Sequence, residues 1–349
     1  MSGKTGKPTQ KEIARIAGVS QTTVSLVLND RDGTNVRIPE ATRERVRRAI
    51  EQTTYVADPA ARRLAGLDNK ILGVFTYESA LTAESMDFYG PLLNGIERAA
   101  EQYDCDLLFF TSSPVENGSR RLFHRNTRLR LADGCILLGQ HMDGEELARL
   151  VSEGFPFVAV GRRDEAEGVP YVGIDYRALT RDLIARAVEL GHTSAVYVHG
   201  DRDTPSSRDR LAEIEAAGAS GPLSFRSLPE VGGDLAATAR TIIESGATLV
   251  VAEDAFAAED LALALDRQGV ALPVQVSIAA LGEVQSHTIK GLRLSGFHTP
   301  RQRIAFEALG LLRELIAADP ESAGTIDRQR LLQGSLEPGE TLVARRADA

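Results

Sequence analysis

The sequence predicts a two-part chain, a small all-α head followed by a large α/β core built on parallel sheets. Three observations predict it. Residues 9–29, TQKEIARIAGVSQTTVSLVLN, read as two short helices joined by a tight turn. Charge divides along the chain: residues 1–66 carry 12 Lys and Arg against 7 Asp and Glu, a net of +5, so −14 falls on the rest of a 349-residue chain whose total is −9. From Lys70 onward, short apolar runs alternate with amphipathic stretches, the rhythm of βαβ units.

Residues 1–8 form a mildly basic, flexible arm. Thr9 can cap the first helix, with Glu12 where a capping-box acid belongs. Ile13, Ile16 and Ala17 make its apolar stripe, and Gly18 supplies the backbone freedom a helix C-terminus needs. Val19 is the pivot of the turn and Ser20 caps the second helix, whose buried side is Val24, Val27 and Leu28. Gln21 and Thr22, followed by Ser25, face outward near its start. A short, polar-tipped helix propped by another is the shape that the DNA major groove admits. Two helices of any small bundle would share part of this pattern, but not the basic charge around it. A small basic head on an acidic body suits a protein whose head alone meets phosphates.

After Asn29 comes DRDGTNVR, a polar loop in which Arg31 and Arg37 could reach a phosphate or simply be solvated. Pro39 opens a third helix, where its fixed φ is tolerated. Val46, Ala49 and Ile50 close a thin core over the first two helices, while Arg43, Arg45, Arg47 and Arg48 mostly face solvent. The head thus spans 9–57. Residues 58–69 are a hinge and linker: Asp58 can cap, Pro59 sits at the first helical position and Gly66 just past the end. About two turns is well short of the roughly 12–15 residues that an isolated helix needs in water, so this helix requires a partner to fold against.

Residues 70–349 form the core. ILGVF, DLLFF, GCILLG, FVAVG, AVYVHG, LVVAE and SIAAL read as strands, and LLNGIERAAEQ, ELARLVSEG, ALTRDLIARAVELG, RLAEIEAAG, TARTIIESG and DLALALDRQG as helices. Ligands in open α/β sheets sit at the carboxyl ends of strands, so the loops after those runs define the candidate cleft. Cys105 and Cys135 lie in strand-like apolar runs and read as buried free thiols. No GxGxxG or Walker motif follows any strand, the six histidines lack ligand spacing, and no Ser/His/Asp set is recognisable. Catalysis, metal and cofactor are therefore not expected. His192 reads as structural. MSGKTGKPTQ lacks the apolar stretch of a signal peptide and no run reaches membrane-spanning length, which points to the cytoplasm.

AGVSQTTVSLVLN, with ATRERVRRAIEQTTYVADPAARRLAG after it, resembles the helix-turn-helix and hinge of the lactose-repressor/galactose-repressor family of bacterial transcription factors. The likeness continues more weakly to the end of the chain. It implies a homodimeric regulator, a repressor, that binds pseudo-palindromic double-stranded operator DNA and answers to a small molecule held between two lobes. The fold implied is a periplasmic-binding-protein-like core with crossovers near Val172–Ile174, Leu292–Gly296 and Arg328–Leu332. The first lobe would cover about 70–172 and 297–327, and the second about 173–296 and 328–345.

On this resemblance Gln21, Thr22 and Leu26 read base edges, and Thr9, Ser20, Ser25 and Asn29 contact phosphates. Ala61 and Leu64 belong to a minor-groove hinge in which Leu64 is the wedge. Relatives commonly carry Arg where this chain has Leu26. In the core, Arg208 matches the arginine that holds the effector, with Arg210 beside it facing solvent or pairing with an acid. Asp254 matches a cleft aspartate, preceded by Glu253 where Asn is usual. A later strand that often ends in Asp reads SIAALGE, with Gly282 there and Glu283 beside it. Tyr77, Phe88 and Tyr89 offer an aromatic face, and Arg162 and Arg163 follow a strand. Several arginines would suit an anionic ligand such as a phosphosugar, although arginines on loops are usually just solvated. The effector expected is a sugar or sugar derivative, with a purine or other non-sugar as the alternative. A solute-binding protein without DNA function is the rival of another class. No leucine heptad ends the chain, which predicts a dimer rather than a tetramer.

Overall fold

The computed structural model describes residues 8–28, 38–53, 55, 68–116, 118–125, 128–200, 203–229, 234–319, 321–322 and 324–345. The expected roles of Asn29, Arg31, Arg37, Ala61 and Leu64, and the hinge helix itself, fall outside these residues. The chain divides into two compact units on either side of the Ile71–Leu72 bond.

The head holds α1 (Gln10–Ala17), α2 (Gln21–Leu28) and α3 (Glu40–Glu51). Thr9 Oγ1 accepts the Glu12 N–H at 3.3 Å, and Ser20 Oγ accepts the Thr23 N–H at 3.0 Å. Gly18 closes α1 at φ 63°, a left-handed turn that a Cβ would strain. Pro39 precedes α3 as its cap residue rather than standing inside it, with no side-chain cap bond. The core is Ile13, Ala14, Ala17, Val24, Val46 and Ala49, with Val19, Val27, Leu28, Ile50 and Tyr55 packed against it. Ile16, expected on the apolar stripe, is 40% exposed; Ala14 takes the inward position one residue round the helix from Ile13.

The second unit contains two six-stranded sheets. The first has the order β13-β5-β4-β3-β1-β2, from β1 (Ile71–Thr76), β2 (Asp106–Phe109), β3 (Gly134–Leu138), β4 (Phe157–Val160), β5 (Tyr171–Ile174) and β13 (Gln329–Leu332). The second has the order β14-β12-β9-β8-β6-β7, from β6 (Ser194–His199), β7 (Ser224–Pro229), β8 (Leu249–Ala252), β9 (Ser277–Glu283), β12 (Ser295–His298) and β14 (Ser335–Glu337). β14 runs antiparallel to β12. β10 (Thr288–Ile289) and β11 (Leu292–Arg293) form a separate hairpin. The helices are α4 (Met86–Gln102), α5 (Gly144–Ser152), α6 (Tyr176–Glu189), α7 (Pro205–Ser220), α8 (Leu235–Ser245), α9 (Ala255–Arg267) and α10 (Arg301–Ala317).

α4 and α10 cross closely at Gly95, where an added Cβ would lie 2.1 Å from the Gln302 carbonyl oxygen. Among the described residues no α-helix connects β2 to β3; a single 3-10 turn, Leu129–Leu131, lies there. Leu122, Leu129 and Ala132 fill the core from this connection, and Glu146 of α5 accepts the N–H groups of Leu122 and Phe123 at 3.0 and 3.3 Å.

The chain passes between sheets three times, each time later than expected. It leaves the first sheet after β5, returns between β12 and α10, and leaves again between β13 and β14. Gln329–Leu332 pair in register with Tyr171–Ile174, so the strand expected to start the second lobe completes the first sheet. Ser295 and Phe297 likewise pair with β9 of the second sheet. Dividing either strand between lobes would leave ladder N–H and C=O groups without partners, so the crossings fall in the connections beyond them.

His192 is buried between elements of the second lobe. Its Nε2 donates to the Val343 carbonyl at 3.0 Å and its Nδ1 lies 2.8 Å from Thr248 Oγ1, an arrangement that suits the neutral ring. Burial pushes its pKa below the ordinary 6.5. Above that pH the ring is neutral both folded and unfolded. Below it the unfolded chain takes up a proton that the folded chain resists, so stability falls with pH until the depressed folded pKa is passed. We expect melting temperature to drop on acidification below about pH 6.5, and His192→Gln to flatten that slope. A wild-type slope unchanged in the variant would assign it to other groups.

Candidate DNA interface and interlobe cleft

In the head, the first turn of α2 presents Gln21 and Thr22 to solvent, and Ser25 and Leu26 are half-buried further along. Gln21 Nε2 donates to Gln10 Oε1 at 3.2 Å, which ties the N-terminal turns of α1 and α2 side by side. Gln10 was not singled out from the sequence, where eleven residues separate the pair. Helix N-termini carry free N–H groups and partial positive charge, which favour phosphate oxygens. Thr9 and Ser20 both stand exposed at such ends. Each oxygen accepts an N–H from its own helix, and the Ser20 hydroxyl also lies 2.8 Å from the Thr23 hydroxyl.

In the core, the loops leaving the carboxyl ends of β4 and β6 meet. Arg162, after β4, makes a fork on Asp164 (Nε–Oδ1 3.0 Å, Nη2–Oδ2 2.7 Å) and crosses to Asp209 of α7 (Nη1 to Oδ1 2.7 Å, to Oδ2 2.6 Å). The Arg162 hydrogen bonds hold the Asp164 carboxyl below the usual range. Arg163 is buried and donates to the carbonyls of Gly139, Gln140 and Val160. It braces the first lobe.

Arg210 pairs with an acid, as expected of it, and is the more buried of the two arginines at the start of α7, while Arg208 is half exposed. Arg208 has a side chain 50% exposed, paired with Asp203 at 2.9 Å and 3.8 Å from Asp164. The Arg210 side chain is 11% exposed, its guanidinium carbon 4.2 Å over the Tyr176 ring and its Nη1 3.7 Å from Glu253. Its buried Nε has no hydrogen-bond partner. The helical repeat explains the difference in burial. Buried Ile214 lies four residues after Arg210, with Ser207 three before it, so all three share the inward stripe that Arg208 misses.

Glu253 accepts from Gly200 N at 2.9 Å and from Ser207 Oγ at 2.5 Å, which holds it beside Arg210. Asp254 caps α9, with Oδ1 accepting the Ala257 N–H at 2.9 Å.

Three further expected residues are committed elsewhere. Tyr77 is 1% exposed and packs edge-on to Phe75 at 5.1 Å inside the first lobe. Tyr89 is buried, its hydroxyl donating to Glu78 Oε2 at 2.5 Å. Glu283 accepts the Thr299 N–H and hydroxyl, both at 2.7 Å, which fastens the end of β9 to the crossover before α10. Burial alone would raise the Glu283 carboxyl, but these bonds outweigh it and hold it below its ordinary range. Phe88 keeps 36% of its surface exposed, with the Arg301 guanidinium 4.9 Å from its ring centre. The structure therefore gathers Arg162, Arg208, Arg210, Glu253 and Asp209 at facing ends of the two sheets, and turns Tyr77 and Tyr89 into the first lobe.

The described chain thus offers a helical head with an exposed polar turn and a two-lobed core with a charged cleft. Residues 9–58 match the family described as bacterial regulatory proteins, lacI family, and residues 78–331 match periplasmic binding proteins and sugar binding domain of LacI family. The chain belongs to the lacI family of bacterial transcriptional regulators. It is similar to the HTH-type transcriptional regulator AscG of Escherichia coli (strain K12), 24% identical over 345 residues that cover 96% of this chain and 98% of the relative. With catabolite control protein A of Priestia megaterium it is 28% identical over 195 residues, about half of each chain (56% and 55%). A solved lac repressor dimer bound to operator and an anti-inducer shares the fold, with a TM-score of 0.68 at 19% identity, covering 97% of this chain and 100% of that one. No helix among the described residues is long and apolar enough to cross a membrane.

Proposed function

We propose that the chain is a homodimeric repressor whose two heads bind half-sites of a pseudo-palindromic operator. Gln21 and Thr22 meet base edges, and Thr9, Ser20 and Ser25 meet phosphates, which position rather than specify. The single observation that carries this is the exposed first turn of α2 lying beside the N-terminus of α1. Among the described residues the charged groups of the cleft hold one another in ion pairs, which supports a ligand-binding role. A sugar or sugar derivative binds between the lobes, with the unpartnered Nε–H of Arg210 donating to it in place of the solvent-exposed Arg208. Asp254 and Phe88 remain available to the same ligand. Binding that prefers one lobe arrangement shifts the DNA affinity of the dimer.

Leu26 offers a base edge only apolar contact, for instance to a thymine methyl. Selection of binding sites from random duplex DNA should therefore return half-sites without guanine at the base this residue meets. Leu26→Arg should add a guanine preference there of about 1–3 kcal/mol, the worth of one bidentate contact. A wild-type preference for guanine at that base would sink the assignment. Selected sites lacking two-fold symmetry would sink the dimeric operator.

A further inference from the structure

Arg162 has every guanidinium nitrogen engaged within the chain. Nε and Nη2 hold Asp164 in the first lobe, and Nη1 reaches both oxygens of Asp209 in the second. Asp209 is 4% exposed and takes another hydrogen bond from Arg177 Nε at 2.8 Å. Arg208, one residue before Asp209, faces back toward Asp164 at 3.8 Å, so two ion pairs of opposite sense cross between the lobes. Nearby, Arg210 faces Glu253 at 3.7 Å. An arginine at the end of a strand is a ready partner for the phosphate or carboxylate of a ligand. Here the chain supplies the carboxylate itself. A second anion brought to Arg162 would lie beside Asp164 and Asp209, where solvent screening is weak and like charges repel strongly.

We propose that Asp209 is the charge-selecting residue of the cleft, an internal carboxylate that occupies Arg162, so that the cleft takes an uncharged polyhydroxyl ligand and rejects its phosphorylated or acidic counterparts. This rests on the reading of the cleft as the effector site. A neutral ligand keeps the pairs intact, since its hydroxyls can donate to the carboxylates and accept from Arg210. The pair also joins the lobes, so the chain closes its cleft by its own charges rather than by those of an anionic ligand.

The test uses the full chain and inorganic phosphate as probe, read by calorimetry and by thermal shift against chloride at equal ionic strength. The wild type should show no phosphate binding. Asp209→Asn keeps the shape but removes the charge, and should bind phosphate at least about tenfold more tightly than wild type. Asp164→Asn is the second variant, expected to change in the same direction, and adding Arg162→Gln to either should abolish the gain. Phosphate binding by the wild type equal to that of the variants overturns the proposal, as does a folded Asp209→Asn or Asp164→Asn chain with no gain. Neutral sugars are titrated into the wild type separately. If none binds, the effector-site reading fails, while the phosphate comparison still decides the charge selection.

Discussion

Arg210→Ala should weaken the response to effector by about tenfold to a hundredfold, whereas Arg208→Ala should leave it within about threefold of wild type. The first removes a guanidinium that is nine-tenths buried, braced on Tyr176 and carrying an unpartnered Nε. A charged hydrogen bond of that kind contributes about 1.5–3 kcal/mol, so losing it weakens ligand binding by about tenfold to a hundredfold. The second removes a half-exposed side chain whose ion pairs are worth about 0–1 kcal/mol after solvent screening. Glu253 keeps the Gly200 N–H and the Ser207 hydroxyl in the Arg210 variant, so the fold should survive. The measurement is operator release in a gel shift, titrated with whichever sugar stabilises the wild type. Wild-type sensitivity in Arg210→Ala, or its loss in Arg208→Ala, would reverse the assignment. Either sign of response, release or tightening, tests it equally.

Ile13→Ala should unfold the head and leave the core intact. Ile13 is fully buried at the junction of three short helices, in a small cluster with Ala14, Ala17, Val24, Val46 and Ala49. Truncating a buried Ile to Ala costs about 2–5 kcal/mol, comparable with the whole stability of a domain this small. Operator binding should vanish, while the melting transition of the core and its sugar affinity stay at wild-type values. The units divide at Ile71–Leu72, so the loss should stop there. Specific operator binding by Ile13→Ala at wild-type affinity would show that the head core contributes far less than its burial implies.

The head was legible because its signals are local. Thr9, Ser20 and Gly18 act on backbone within a turn of themselves, and each does in the structure what its spacing implies. The two sheets were legible as a rhythm but not in their edges. β7, SFRSLP, has mostly exposed residues with only Phe225 and Leu228 half-buried at the rim of the second sheet, and carries no apolar run by which to recognise it. β13 and β14 are equally polar, so the last crossing was placed several residues early. In the cleft, expectation followed sequence likeness where periodicity would have served better. Tyr77 directly follows β1, a strand buried on both faces, and packs on Phe75 two residues before it. Arg210 and Ile214 are four apart on a helix and share its inward face. Glu283 could not have been read this way, because its partner Thr299 is brought to it only by the bulged pairing of β9 with β12.

The late crossings bear on how the molecule is made. The first sheet receives its final strand from Gln329–Leu332 and the second from Ser335–Glu337. Neither lobe is a continuous piece of chain, and neither sheet is complete until the ribosome has passed residue 337. The head needs only contacts between neighbouring helices within the first 55 residues, and local contacts form fastest. At about 5–20 residues per second, roughly 15–60 s of synthesis separate a foldable head from a complete core. During that interval each nascent chain holds a DNA reader with no finished partner surface and no cleft to govern it. On the proposed dimeric reading, tight operator binding by two heads is acquired only at the end of translation.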